Sequence, residues 1–302
     1  MTGKSVSKIG AFLAGLSAFA PLAASAQEAG HPVPGQIGLQ PSVTPIMDSI
    51  HTFHDGPLLI VAVGIAVLVL VLLLIVMVRF NAKANPVPSK TTHNTLVEVI
   101  WTVAPILILV IIAIPSFSVL TDQLTIPDGQ RKYLGSNIFS FGEVEVPAPG
   151  LTIKATGQQW YWDYEYTDDA KGFSSNLLND ADRASLKPNQ PRLLAVDYEL
   201  VVPVDTTVRM QITSDPAGVI HAFAMPSFGI KIDAIPGRLN ETWFNARKTG
   251  IYYGQCSELC GKDHAFMPIA IRVVTKEEYA AWMAAFKAGT VDDANATLPA
   301  LT

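Results

Sequence analysis

The chain has 302 residues, 49% of them hydrophobic, and a mean hydropathy of +0.31. That is too apolar for an ordinary soluble enzyme and too polar for a bundle of many membrane spans, which leaves a protein with one membrane part and one water-exposed part. A net charge of −5 argues against a nucleic-acid partner, and the two cysteines, Cys256 and Cys260, sit too close together to form a disulfide framework across a fold.

Lys4 and Lys8 precede an apolar run from Ile9 to Leu22 and the small-residue triplet Ala24-Ser25-Ala26. This is the pattern of a secretory signal peptide, residues 1–26, cut after Ala26. The run is shorter than the roughly 20 apolar residues that cross a bilayer, which makes a first transmembrane helix the weaker reading. Residues 27–56 form an outer N-terminal segment with no Lys or Arg. Residues 57–78 and 99–120 are two stretches of 22 residues without a charge, each long enough to span and with no polar face to meet water. Pro105 and Pro115 lie inside the second span, where neighbouring helices must satisfy the freed carbonyls, so a partner subunit is expected. The 79–98 connector carries Arg79, Lys83 and Lys90, which places it in the cytoplasm and both flanks outside. The expected location is a bacterial-type inner (cell) membrane, crossed twice, with the C-terminal domain periplasmic.

Residues 121–302 hold 22 Asp and Glu against 16 Lys and Arg, a surface suited to cationic partners. Period-two apolar patterns predict strands over Leu151–Ala155, Trp160–Tyr166, Leu193–Val202, Thr207–Thr213, Val219–Ala224, Thr242–Asn245 and Met267–Val274. With Gly and Pro between them, they read as a β-sandwich or barrel. Residues 168–191 are polar and aperiodic and read as an exposed insertion without chemistry. Thr275 and Glu278 form a capping box ahead of Tyr279, Trp282, Met283 and Phe286 at helical spacing, which predicts a C-terminal amphipathic helix.

Cys256, Cys260, His264 and Met267 place four soft or borderline metal ligands within twelve residues, flanked by Gly254 and Gly261, which favour a loop. His221 stands upstream in a strand-like stretch. A disulfide between the cysteines would leave both histidines and Met267 unexplained. A structural zinc site would make no use of the thioether. Thiolate, imidazole and a weak axial thioether on a β-sandwich are the donors of copper electron-transfer sites. Two thiolates can bridge two copper ions, with His221 and His264 completing one set each, and Met267 and a backbone carbonyl between the cysteines in axial positions. Disulfide and zinc are the alternatives.

The segment Cys256-Ser-Glu-Leu-Cys260 with His264 and Met267 following, and His221 upstream, resembles the binuclear copper motif of the cytochrome c oxidase subunit II family. The segments from Trp160 to Tyr166, Asp233 to Arg238 and Val97 to Trp101 also resemble that family. The resemblance implies a two-helix transmembrane hairpin plus an all-β cupredoxin-like sandwich. It also implies copper ligation by His221, Cys256, Cys260, His264 and Met267, with the Glu258 carbonyl contacting copper and its carboxylate reaching a magnesium ion shared with oxidase subunit I. By the same resemblance Trp160 is where electrons enter, although it could be a core aromatic, and Glu98 lies near the mouth of a proton path, although it could be an interfacial anchor. Gln158 and Asp163 depart from residues common in the family. Asp163 and Glu165 beside Trp160 are the expected docking acids for a c-type cytochrome.

The implied function is to accept electrons from reduced cytochrome c at the copper pair and pass them to haem in subunit I, which reduces oxygen to water and translocates protons. No Cys-x-x-Cys-His is present, so no haem is expected in this chain. His31, His51, His54 and His93 are not expected to be ligands. A quinol oxidase subunit would lack the copper ligands. A membrane-anchored copper-binding or copper-delivery protein is the alternative from a different class.

Overall fold

The computed structural model describes residues 30–130, 132–133 and 144–299, so the expected signal peptide lies outside the described residues. Helix α1 (Pro45–Phe53) is capped by Thr44, whose Oγ1 accepts from the Met47 N–H at 3.2 Å and donates to the Phe228 carbonyl at 2.6 Å. It buries Pro45, Ile46 and Met47 and runs through a wide π turn at His54–Leu58 into α2 (Leu59–Arg79). Pro57 sits inside that turn, and a residue without an N–H is tolerated where the ladder is already opened. The apolar stretch 57–78 is therefore the C-terminal part of a continuous 35-residue helical run, whose polar start was invisible to a search for apolar character.

Helix α3 (Thr95–Leu124) outruns the expected 99–120 at both ends. Asn94 caps its start, accepting from the Val97 N–H at 3.2 Å. At its other end, Trp243 Nε1 donates to the Asp122 carbonyl at 2.8 Å and Thr242 Oγ1 to the Gln123 carbonyl at 2.9 Å, so strand residues carry the helix past its apolar part. Along α2 and α3 nearly all large apolar side chains are exposed, which water does not tolerate at this extent and lipid or a partner subunit does.

A short ribbon of β1 (Lys132–Tyr133) and β2 (Val144–Glu145) precedes two five-stranded sheets, counted among the described residues. The first has the spatial order β10 (Asn240–Asn245), β7 (Thr207–Ser214), β3 (Leu151–Gln158), β4 (Tyr161–Tyr166) and β5 (Lys171–Ser175). The second has β6 (Leu200–Pro203), β12 (Pro268–Val274), β11 (Gly250–Cys256), β8 (His221–Met225) and β9 (Ile230–Ala234). Pairing is parallel at β3–β7 and β6–β12 and antiparallel elsewhere. Alternation puts Ile153 and Ala155 of β3 and Trp162, Tyr164 and Tyr166 of β4 inside. Trp162 meets Phe223 of the other sheet edge-on, centroids 5.3 Å apart. Tyr166 ties the layers together: its hydroxyl donates to the Val201 carbonyl at 2.7 Å and accepts from the Val201 N–H at 3.1 Å.

Several sequence expectations are corrected. The strand expected over 193–202 begins only at Leu200, because Leu193 adopts φ +66° and Val196 makes a single bridge, to Leu177. The 168–191 segment is no simple loop. It supplies edge strand β5 and helix α4 (Asp180–Leu186), and Lys187 and Gln190 both reach the buried carboxylate of Glu199, at 2.6 and 2.7 Å. Its polar residues looked solvated because their partner lies further along the chain. Gly254 belongs to β11 rather than to a loop; a Cβ there would stand 2.0 Å from the Ala224 carbonyl oxygen, so close approach of β8 requires glycine. The capping box does start helix α5 (Lys276–Ala288), which buries Trp282, Met283 and Phe286. A further helix, α6 (Val291–Asn295), follows, and Asn295 accepts from Trp282 Nε1 at 2.8 Å.

Candidate metal centre

His221 opens β8 and Cys256 closes β11, its neighbour in the sheet, so the register that pairs Cys256 with Phe223 also brings the imidazole to the thiol. The chain then turns through 257–263, forms a 3-10 turn at His264–Phe266, and reaches Met267 just before β12. Cys256 Sγ lies 3.8 Å from Cys260 Sγ and 3.8 Å from His221 Nδ1, while Cys260 Sγ lies 3.5 Å from His264 Nδ1 and 3.6 Å from Met267 Sδ. The Cys256 thiol faces the Glu258 carbonyl at 3.3 Å. The ligand atoms of His221, Cys256 and Cys260 all fall within 4.8 Å of one another, and all three residues are buried.

These spacings fit a metal. With metal–sulfur bonds near 2.3 Å and metal–nitrogen bonds near 2.0 Å, two donors on one ion stand roughly 3.5 to 3.8 Å apart. Each thiol has its own imidazole, and the carbonyl lies against Cys256 while the thioether lies against Cys260. Burial, followed by the charge of His264, lowers the pKa of His221, so its imidazole is neutral and ready to ligate. Burial, then the adjoining Cys256, pushes the Cys260 thiol up to about 12, so a bound cation must displace its proton. The cysteines are unbridged.

Gly157 on β3 makes room for His221: a Cβ there would stand 2.8 Å from Cδ2 of the imidazole. Trp160, in the turn between β3 and β4, is half-buried and leans on the same loop. Its Nε1 donates to the Cys260 carbonyl at 3.0 Å, a Cβ on Gly261 would meet its Cζ2 at 3.0 Å, and the Lys262 ammonium sits 5.3 Å from a ring centroid. Gly261 adopts φ +118°, which a side chain would resist.

Glu258 is exposed beside the cluster. Glu98 is remote from it: it lies in the first turn of α3, accepting from the Asn94 N–H at 3.3 Å, with about 39 Å of helix between it and Leu124. On the outer face of β4, Asp163 accepts from Gln158 Nε2 at 2.9 Å and from Ser174 Oγ at 2.5 Å, and Glu165 is 3.9 Å from the Lys154 ammonium. Asp215, not singled out in the sequence, faces the same corner: burial first, then Asp163 and Asp215, raise the pKa of Tyr161 next to Trp160. Gly157, Asp215 and Lys262 carried no usable signal in isolation, save that a glycine inside a strand pattern marks a close approach.

Residues 151–274 match the family model described as cytochrome c oxidase subunit II, periplasmic domain, and residues 32–119 match that of its transmembrane domain. The chain is 47% identical over 273 residues to a probable cytochrome c oxidase subunit 2 of Rickettsia bellii, covering 90% of this chain and 92% of that protein. It is 39% identical over 286 residues to cytochrome c oxidase subunit 2 of Cereibacter sphaeroides, covering 90% and 86%. A crystal structure of the periplasmic domain of subunit II of cytochrome oxidase (CoxB) of Bradyrhizobium japonicum is 57% identical, with a TM-score of 0.42, covering 51% of this chain and 99% of that one. The family models and the two full-length relatives do not favour the separate copper-delivery protein. With two transmembrane helices, a cupredoxin-like sandwich and both halves matched, the chain belongs to the cytochrome c oxidase subunit II family and is a subunit of that oxidoreductase.

Proposed function

We propose that His221, Cys256, Cys260, His264 and Met267, with the Glu258 carbonyl, hold two copper ions. The centre would relay single electrons from a c-type cytochrome, docked on the periplasmic side of the inner membrane, to haem in subunit I. The observation that carries this reading is the pair of buried thiols 3.8 Å apart with one imidazole nitrogen against each. A copper pair held by these residues would supply a one-electron carrier.

The chain's own residues do the rest. Burial of Cys256, Cys260 and Met267 keeps water from the donors, and two rigid strands with a short loop hold them at fixed separations. Trp160 Nε1, hydrogen-bonded to the Cys260 carbonyl, gives a short route from the surface to a ligand residue. The exposed Glu258 carboxylate would meet a magnesium ion at the subunit I interface, and Glu98, in the first turn of α3, would serve a proton path there. Asp163 and Glu165 contribute to an acidic docking face, and Asp215 joins them. The basic 79–98 connector supports the orientation.

Metal analysis of the purified full chain together with electron paramagnetic resonance tests the centre. Two coppers per chain with one electron shared between them is the expected result. One copper with a mononuclear four-line spectrum sinks the binuclear reading, and zinc without redox activity sinks copper altogether.

A further inference from the structure

We propose that Lys262 is a charged cover on Trp160 that a docking partner must displace, and that it selects partners offering its ammonium an acceptor oxygen. This rests on Trp160 being where electrons enter. The Lys262 ammonium lies 5.3 Å from a Trp160 ring centroid and 3.6 Å from the Asp263 carboxylate, so one cation is shared between an aromatic ring and an acid. The ring itself is held, at Nε1 by the Cys260 carbonyl and along its benzo edge by Gly261. Lys262, by contrast, has a side chain 76% exposed and free to swing. Of the two contacting groups, the lysine is the one that can move.

A cation against an exposed aromatic ring is favoured over the released form by about two- to fivefold. A partner that needs the bare ring then sees only the uncovered fraction, and its apparent association is reduced in proportion. The domain carries 22 acids against 16 bases, so its surroundings attract a cationic redox protein while Lys262 opposes one at the contact itself. The partner that fits has a basic rim and, at its centre, a backbone carbonyl or carboxylate that draws the ammonium off the ring.

The test uses the complete oxidase, reduced mitochondrial cytochrome c as donor, and stopped-flow copper reduction in the wild type, Lys262→Gln, Lys262→Arg and Trp160→Phe. Lys262→Gln is expected to raise the association rate by about three- to sixfold, a gain that persists at high salt, and Lys262→Arg to behave as the wild type, since guanidinium also covers an aromatic face. A Gln variant whose faster association disappears at high salt overturns the cover, because that pattern is long-range charge alone. An Arg variant that matches Gln overturns it as well. Trp160→Phe separates the two readings. Unaltered transfer there removes Trp160 as the entrance, whereas slowed transfer beside an unresponsive Lys262→Gln removes the cover only.

Discussion

Gly157→Ala tests whether the metal centre is held by the sandwich behind it. The added methyl would stand 2.8 Å from Cδ2, 3.0 Å from Cγ and 3.2 Å from Cβ of His221. Ordinary carbon contacts begin near 3.5 Å, so the ring must retreat by about 0.7 Å. It has nowhere to go: His221 is fully buried, the three crowded atoms include the ring root, and Trp162 stands edge-on to it at 6.1 Å. Overpacking of this kind costs about 1 to 3 kcal/mol, which for a domain of this size lowers the melting temperature by roughly 2 to 12 °C. The displaced Nδ1 also spoils the 3.8 Å approach to Cys256, so copper should bind more weakly and with an altered absorption spectrum. Thermal unfolding of the metal-free full chain in detergent, followed by near-ultraviolet circular dichroism, reads the first effect, and copper titration monitored by visible absorption reads the second. A melting temperature within about 1 °C of wild type together with an unchanged copper spectrum would refute the reasoning, because it would mean that β3 does not press on the ligand.

Three further outcomes are expected. Tyr166→Phe strands both the N–H and the carbonyl of buried Val201, so it should cost about 1 to 3 kcal/mol, seen as a lower urea midpoint at constant slope, with the copper spectrum intact. A loss below about 0.5 kcal/mol would show that the hydroxyl does not tie the sheets. Copper loading should release a proton from the Cys260 thiol, whose pKa is raised from 9.0 to about 12, so affinity should climb with pH across the neutral range, as a weakly buffered indicator titration can follow. The metal-free fold has the opposite dependence. A raised acid favours the folded state fully below pH 9 and loses that contribution between 9 and about 12, so stability should fall there. Loading without proton release would overturn the ligand role of Cys260.

Much of this chain can be read before it folds. Spanning a bilayer needs only length and apolarity, so both helices are legible, but their polar extensions, 45–56 and 121–124, are not, because contacts with the sandwich sustain them. The Thr275 capping box is a local pattern and survives intact. The candidate donors from Cys256 to Met267 are legible because soft donor atoms crowded into twelve residues meet through the chain itself. Strand β11 was hidden because Gly254, needed for the close approach of β8, looks like loop punctuation. The polar 168–191 segment concealed its buried link to Glu199.

The sequence alone therefore determined which atoms can ligate and which two stretches are long and apolar enough to cross a membrane. Tertiary structure alone decided which groups surround those ligands. His221 reaches Cys256 from 35 residues away through β8–β11 pairing, Trp160 reaches Cys260 across 100 residues, and Gly157 meets His221 from the opposite sheet. Periodicity and caps are written in neighbouring residues, whereas these meetings depend on sheet order and register, which no local stretch of chain encodes.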